Sequence, residues 1–210
     1  MSCSFRPIGR IKINTCRPAG ILLDIKYSRL KKVPPLIETA RLGIRNWTLD
    51  DLPAMAAINA NPEVMRYFPR TQTEMETKGF IERAQASYEK LGYTYFAVDH
   101  LKDKKMIGFI GLAYQEYESR FTPATDIGWR LHPAYWGCGL ATEGARATLG
   151  FGLQVLKLPK IISVAVRANK PSIKVMEKIG LKKLGNFQHP LLADYPELKS
   201  CVAYGIDRIS

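Results

Sequence analysis

The chain has 210 residues, 46% hydrophobic and 24% charged, a globular composition long enough to bury one sizeable core. No apolar run approaches the roughly 18 uncharged residues that cross a bilayer, and Ala19–Leu23 is shorter than the roughly 7 to 15 residues of a signal-peptide core, so neither membrane insertion nor export is expected. Cys3, Cys16, Cys138 and Cys201 are scattered with no CxxC pair, which suggests neither a disulfide framework nor a zinc site and fits a reducing cytoplasm.

The net charge of +12 is uneven. Residues 1–35 hold eight basic side chains against Asp24 alone, a balance of +7 that leaves +5 for the other 175 residues. This leader has no clear period and ends in KKVPP, a proline pair that resists helix and sheet. The chain therefore divides into a basic extension, 1–35, and a domain, 36–210. Three readings of the extension stay open: a basic arm for nucleic acid or ribosome contact, a targeting peptide, or an extension read from an upstream start codon or an expression vector. Its scattered charge lacks the interleaved aromatics of a nucleic-acid footprint.

From Leu36 the pattern is orderly. RLGIRNW, Arg41 to Trp47, alternates as a strand with Leu42 and Ile44 on one face. Thr48 is placed to cap a helix with Asp50 and Asp51 in its first turn, and Leu52, Met55, Ala56 and Asn59 follow at helical spacing. A second helix is expected over about Thr73 to Leu91. The period then switches to two: Tyr93 to His100 and Met106 to Tyr117 read as a hairpin around LKDKK, and Ala124 to Leu131 as a third strand. After Gly139, a long helix is predicted from Ala141, Ala145, Thr148, Leu149, Gly152 and Val155. Lys160 to Ala168 reads as a strand covered on both faces. Pro171 to Ile179 is a short helix stopped by Gly180, and LKKLGNFQ and CVAYGIDRI are the last strands. The fold class is α/β (α+β): a single mixed, largely antiparallel seven-stranded sheet flanked by about four helices.

The stretch YWGCGLATE, Tyr135 to Glu143, sets two glycines between a strand and a helix. A loop there bares backbone N–H groups at the positive end of the helix dipole, a place suited to phosphate. Glycine lets a polyanion approach and tolerates the positive φ of an anion nest. The alternative is a tight strand-to-helix turn with no ligand. Neither GxGxxG nor GxxxxGK[ST] is present, which disfavours the usual nucleotide folds.

Taken together, DIGWRL, YWGCGLATE and VRANKPSIKVMEKIG resemble the GNAT superfamily of acetyl-CoA-dependent N-acetyltransferases over roughly residues 37–208, in particular its RimJ/RimL-like branch. The superfamily loop pattern is Gln or Arg, two residues, Gly, one residue, then Gly or Ala. Trp136 replaces the first residue, whereas Gly139 and Ala141 match. The resemblance implies a GNAT fold and acetyl-CoA as cosubstrate, with no metal. It places the coenzyme diphosphate on the loop of Trp136, Gly137, Cys138, Gly139, Leu140, Ala141 and Thr142. It implies an oxyanion donor among the amides of the Ile127–Leu131 strand, with Ile127, Trp129 and Leu131 lining the coenzyme. Asn169 and Ser172 match the branch's NxxS pair at the end of a buried strand, and are read both as helix caps and as pantetheine contacts.

Acetyl transfer needs a neutral amine, whereas a free amine with a pKa of roughly 8 to 10 is mostly protonated at neutral pH. The resemblance places an acidic residue at the start of the third strand, and Asp126 occupies that position where relatives carry Glu. The plain alternative is a strand-edge carboxylate facing solvent. Ser172 is assigned to the departing thiolate, because Met176 replaces the tyrosine that many members use and cannot donate a proton. Cys138 lies at a helix start, where a thiol pKa can fall, but is read as a passive small residue. His100, His132 and His189 show no metal-ligand spacing. Trp47, Trp129 and Trp136 are read as core or pocket wall.

The family's acceptor groove maps to Asn59–Thr73 and Glu116–Thr125, with Arg66, Tyr67, Phe68, Arg70, Tyr114, Tyr117, Arg120 and Phe121. A protein N-terminal α-amine is the leading acceptor by analogy. A small-molecule acceptor, a catalytically silent acyl-CoA-binding regulator, and a nucleic-acid-associated module working through the leader are the alternatives. Monomer and homodimer are both expected possibilities.

Overall fold

The computed structural model describes residues 33–208 and the short strand Lys12–Ile13; the rest of the extension, with the readings attached to it, lies outside the described residues. The strands are β1 (Lys12–Ile13), β2 (Ile37–Glu38), β3 (Leu42–Arg45), β4 (Tyr95–His100), β5 (Lys105–Gln115), β6 (Ala124–Leu131), β7 (Lys160–Val166), β8 (Lys182–Gln188) and β9 (Ser200–Asp207). They form one sheet in the order β1-β2-β3-β4-β5-β6-β7-β9-β8. Every neighbouring pair is antiparallel except β6 and β7. The α-helices are α1 (Leu52–Asn59), α2 (Pro62–Met65), α3 (Glu74–Leu91), α4 (Leu140–Gly150) and α5 (Lys170–Lys178).

Alternation along the strands sorts the core into two layers. Trp47, Met55, Ile58, Ile81, Ala97 and Phe109 pack α1 and α3 on one face. Phe96, Ile110, Leu112, Ile127, Leu140, Ala145 and Met176 pack α4 and α5 on the other. Since Ile127 and Leu131 point into the second layer, Asp126, Gly128 and Arg130 point to the α1 and α3 side.

The expected seven strands and about four helices miss β1, β2 and α2. Two-residue strands are too short to alternate visibly, and α2 is one turn, begun by Pro62 after the Asn61 cap. The helix expected from Thr48 starts instead as a 3-10 turn, Leu49–Asp51, before α1. Asp51 is not a free first-turn anion. It is buried, and its carboxylate takes Arg45 in a two-pronged pair at 2.7 and 2.8 Å, while Asp99 takes the same guanidinium at 2.9 Å. Burial pushes the Asp51 carboxyl up, but hydrogen bonds from Arg45 and Thr48 outweigh it and hold the group below its ordinary value. The helix expected to run through Val155 ends as α-helix at Gly150 and closes with one π turn, Phe151–Val155. α3 begins at a Thr73–Glu76 capping box and stops at Gly92 (φ +77°), close to the bounds read from its periodicity.

Candidate active site

β6 and β7 are paired only at Thr125–Ile161 and Asp126–Ile162, and then diverge. Leu112 gives its N–H to the carbonyl of Thr94, the residue just before β4, at 3.0 Å, so its register partner Ile127 is a non-hydrogen-bonded position of the β5–β6 ladder. The backbone groups of Ile127, Trp129 and Leu131 therefore point toward β7. The Ile127 carbonyl accepts from the Ser163 hydroxyl at 2.8 Å and its side chain is fully buried. Past Ile127 the strands have parted, and the amides of Trp129 and Leu131 face a gap. Of the three strand positions expected to line a coenzyme, Ile127 is spent on the fold.

Asp126 stands at the start of this gap. Its Oδ2 accepts from the Tyr95 hydroxyl at 2.6 Å, and its Oδ1 accepts from the Val164 amide of β7 at 3.2 Å. It is not the strand-edge carboxylate in solvent that stood as the alternative. Burial pushes its pKa up to about 7, against the opposing hydrogen bonds from Tyr95 and Val164. Burial, then the charge of Asp126, hold the Tyr95 hydroxyl well above its ordinary value, so it stays a phenol and a donor. Tyr95 reaches Asp126 across Gly128, where a Cβ would come within 3.1 Å of the ring. Its ring stacks on Phe109 with centroids 5.0 Å apart.

At the far end of β6 the indole of Trp136 donates to the Leu131 carbonyl at 2.8 Å and pins the following loop. Gly137 and Gly139 have φ of +74° and +79°. A Cβ on Gly137 would meet nothing within 4 Å, so the requirement there is backbone conformation, not room. The first helical bond of α4 runs from the Glu143 amide to the Gly139 carbonyl at 3.0 Å. The amides of Leu140, Ala141 and Thr142 are therefore left without helical partners, an anion-binding terminus on an eleven-residue helix. The Leu140 side chain is buried in the core, so only its backbone is available, while Cys138 is exposed.

A clamp that the sequence pattern gave no hint of secures this loop. The Arg41 guanidinium donates to the Cys138 carbonyl at 2.9 Å and to the Glu143 carboxylate at 2.7 Å. The Thr39 hydroxyl and Arg41 amide reach the other Glu143 oxygen at 2.6 and 3.0 Å. Burial pushes Glu143 up, but these bonds hold it below its ordinary value.

Asn169 caps α5, its Oδ1 accepting from the Ser172 amide at 3.2 Å, so its side-chain carbonyl is committed to the helix. Ser172 is half-buried in the first turn. Met176 is buried in the core. Among the expected groove residues, Tyr67 hydrogen-bonds the Ala168 carbonyl beyond β7 at 3.3 Å, and the Tyr117 ring lies 4.4 Å from His189. Phe121 packs on Phe187, and Arg120 donates to the Asn186 carbonyl at 2.7 Å. Arg70 is drawn to Glu76 in an exposed pair. Among the described residues, no three His, Cys, Asp or Glu converge as metal ligands.

Residues 41–182 match the family model described as acetyltransferase (GNAT) domain. The chain is 31% identical over 153 residues to the uncharacterized N-acetyltransferase YnaD of Bacillus subtilis, covering 72% of this chain and 85% of that protein. Its structure is similar to a GNAT-family acetyltransferase from Bacillus anthracis, with a TM-score of 0.68 and 29% identity over 81% of this chain and 97% of the other. A spermidine N-acetyltransferase from Vibrio cholerae, solved with CoA and spermine, shares the fold with a TM-score of 0.65 at 18% identity, over 81% and 97% of the two chains.

Proposed function

Because the chain belongs to the GNAT acetyltransferase family, we propose that it moves the acetyl group of acetyl-CoA to a primary amine by direct attack in a ternary complex, the favoured acceptor being a peptide N-terminal α-amine. Placement in the RimJ/RimL-like branch rests on the WGCGLAT loop and the Asn169 and Ser172 pair. Acetyl-CoA, when bound, supplies an acetyl group activated as a thioester. The residues present suit that cosubstrate. The positive-φ loop and the unpartnered amides of α4 match a diphosphate, and the parted strands match an extended arm.

The observation that carries the reading is Asp126: a carboxyl at the mouth of the gap, fixed from two sides, with a pKa near 7. A base is most effective when its pKa lies near the working pH. Asp126 takes the proton of the incoming amine, directly or through one water. The Trp129 amide donates to the developing oxyanion, and the Ser172 hydroxyl hydrogen-bonds the departing thiolate.

The experiment is acetyl-CoA turnover, read as free-thiol release, against peptides, amino acids and polyamines. Asp126→Asn should lower kcat by roughly 10²- to 10⁴-fold with the calorimetric Kd for acetyl-CoA unchanged. Ser172→Ala should lower kcat less and also leave binding intact. Unchanged turnover in Asp126→Asn removes the base assignment, and coenzyme binding without turnover on any amine favours the silent regulator.

A further inference from the structure

Arg45 is buried and Arg130 is half-buried with its Nε enclosed, and the two are treated differently. Arg45 lies between two carboxylates. Arg130, on the same face of β6 as Asp126, has no carboxylate within ion-pair distance among the described residues. One nitrogen donates to Asn59 Oδ1 at 2.6 Å, and the guanidinium carbon lies 4.2 Å from the Phe68 ring and 5.3 Å from Phe109. Its Nε is buried and unpartnered. Burial pulls its pKa down to about 10, as for a cation short of neutralising company.

A half-buried cation with an enclosed, unpartnered donor and no anion is costly, and the guanidinium fork matches a carboxylate in two places at once. Its surroundings connect it to the reacting centre. Tyr95 lies over Gly128 and stacks on Phe109, so an aromatic strip runs from Asp126 to Arg130. Phe68, which covers the guanidinium, is 42% exposed and belongs to the connection between α2 and α3, one wall of the expected groove.

We infer that Arg130 is an anion subsite of the acceptor groove, selecting a peptide that carries a carboxylate a few residues beyond the amine acetylated beside Asp126. This rests on the acetyltransferase reading. Four strand positions separate the two α-carbons by about 13 Å. An extended peptide spans about 3.3 to 3.6 Å per residue. The carboxylate therefore belongs at the second to fourth acceptor residue. A polyamine would instead place a second cation against Arg130, so this subsite opposes that acceptor class.

The test uses the full chain loaded with CoA and C-terminally amidated peptides paired as Glu against Gln at positions two, three and four. Calorimetry on wild type should show a preference of roughly 10- to 100-fold for the acidic member at one position, falling to about twofold or less in Arg130→Gln and partly kept in Arg130→Lys. The same peptides with acetyl-CoA should show that preference in KM more than in kcat. Equal binding of acidic and neutral peptides by wild type overturns the subsite, as does an undiminished preference in Arg130→Gln that circular dichroism shows to be folded. If Arg130→Gln fails to fold, the wild-type pairs and Arg130→Lys decide. Acidic preference in binding without thiol release leaves the subsite standing and removes the transferase reading; thiol release without charge preference does the reverse.

Discussion

Asp126 holds its proton in the range where an amine acceptor must lose one. Burial raises its pKa, the hydrogen bonds from Tyr95 and Val164 lower it, and the balance lies at about 7. Activity that needs the ionised carboxylate should rise with pH through a midpoint near 7. Tyr95→Phe removes a donor that favours the ionised form, so the midpoint of kcat/KM against pH should move upward, and an unmoved midpoint would show that Tyr95 only fills space. The same shift has a sign in stability. The folded state keeps this proton when the unfolded chain, at about 3.9, has lost it, so ionised Asp126 lowers stability increasingly from pH 4 to 7. Asp126→Asn should accordingly raise Tm at pH 8 and have much less effect at pH 4. The role of Asp126 was approached by resemblance alone. What shifts its pKa could not be read from the chain, because Tyr95 and Val164 lie 31 and 38 positions away.

The loop before α4 is a backbone device held by side chains from another element. Gly139 at φ +79° is strained by any β-branched residue. Gly139→Val should abolish acetyl-CoA binding by calorimetry while the circular dichroism spectrum stays native. Glu143→Gln keeps the shape of the clamp but weakens its charge-assisted bonds to Arg41, each worth about 1.5 to 3 kcal/mol. Acetyl-CoA affinity should fall roughly 3- to 10-fold through a looser loop, a fraction of that bond energy. An unchanged Kd would mean that the loop holds its shape without Arg41. The glycines were legible in YWGCGLATE because special φ values leave a local mark. The clamp was not, since Arg41 and Glu143 are 102 positions apart and each reads singly as an ordinary surface charge.

Across the whole chain, periodicity revealed α3, the β4–β5 hairpin and β6, whose patterns are long, and missed β1, β2 and α2, which are too short to have a period. The basic-arm reading of residues 1–35 predicts RNA affinity that weakens steeply with salt and is lost on deleting the leader. A filter-binding titration at several salt concentrations checks this, and affinity that survives the deletion ends that reading. The sheet itself is stitched unequally. Between β6 and β7 the ladder has two rungs, and beyond them the Ser163 hydroxyl reaches the Ile127 carbonyl and the carboxyl of Asp126 itself takes the Val164 amide. One group thus both handles the reaction's proton and joins two halves of the scaffold. Each cycle of protonation tugs on that crossing, so the Val164 nitrogen resonance should follow the same titration in NMR, a built-in reporter of the base that needs no ligand.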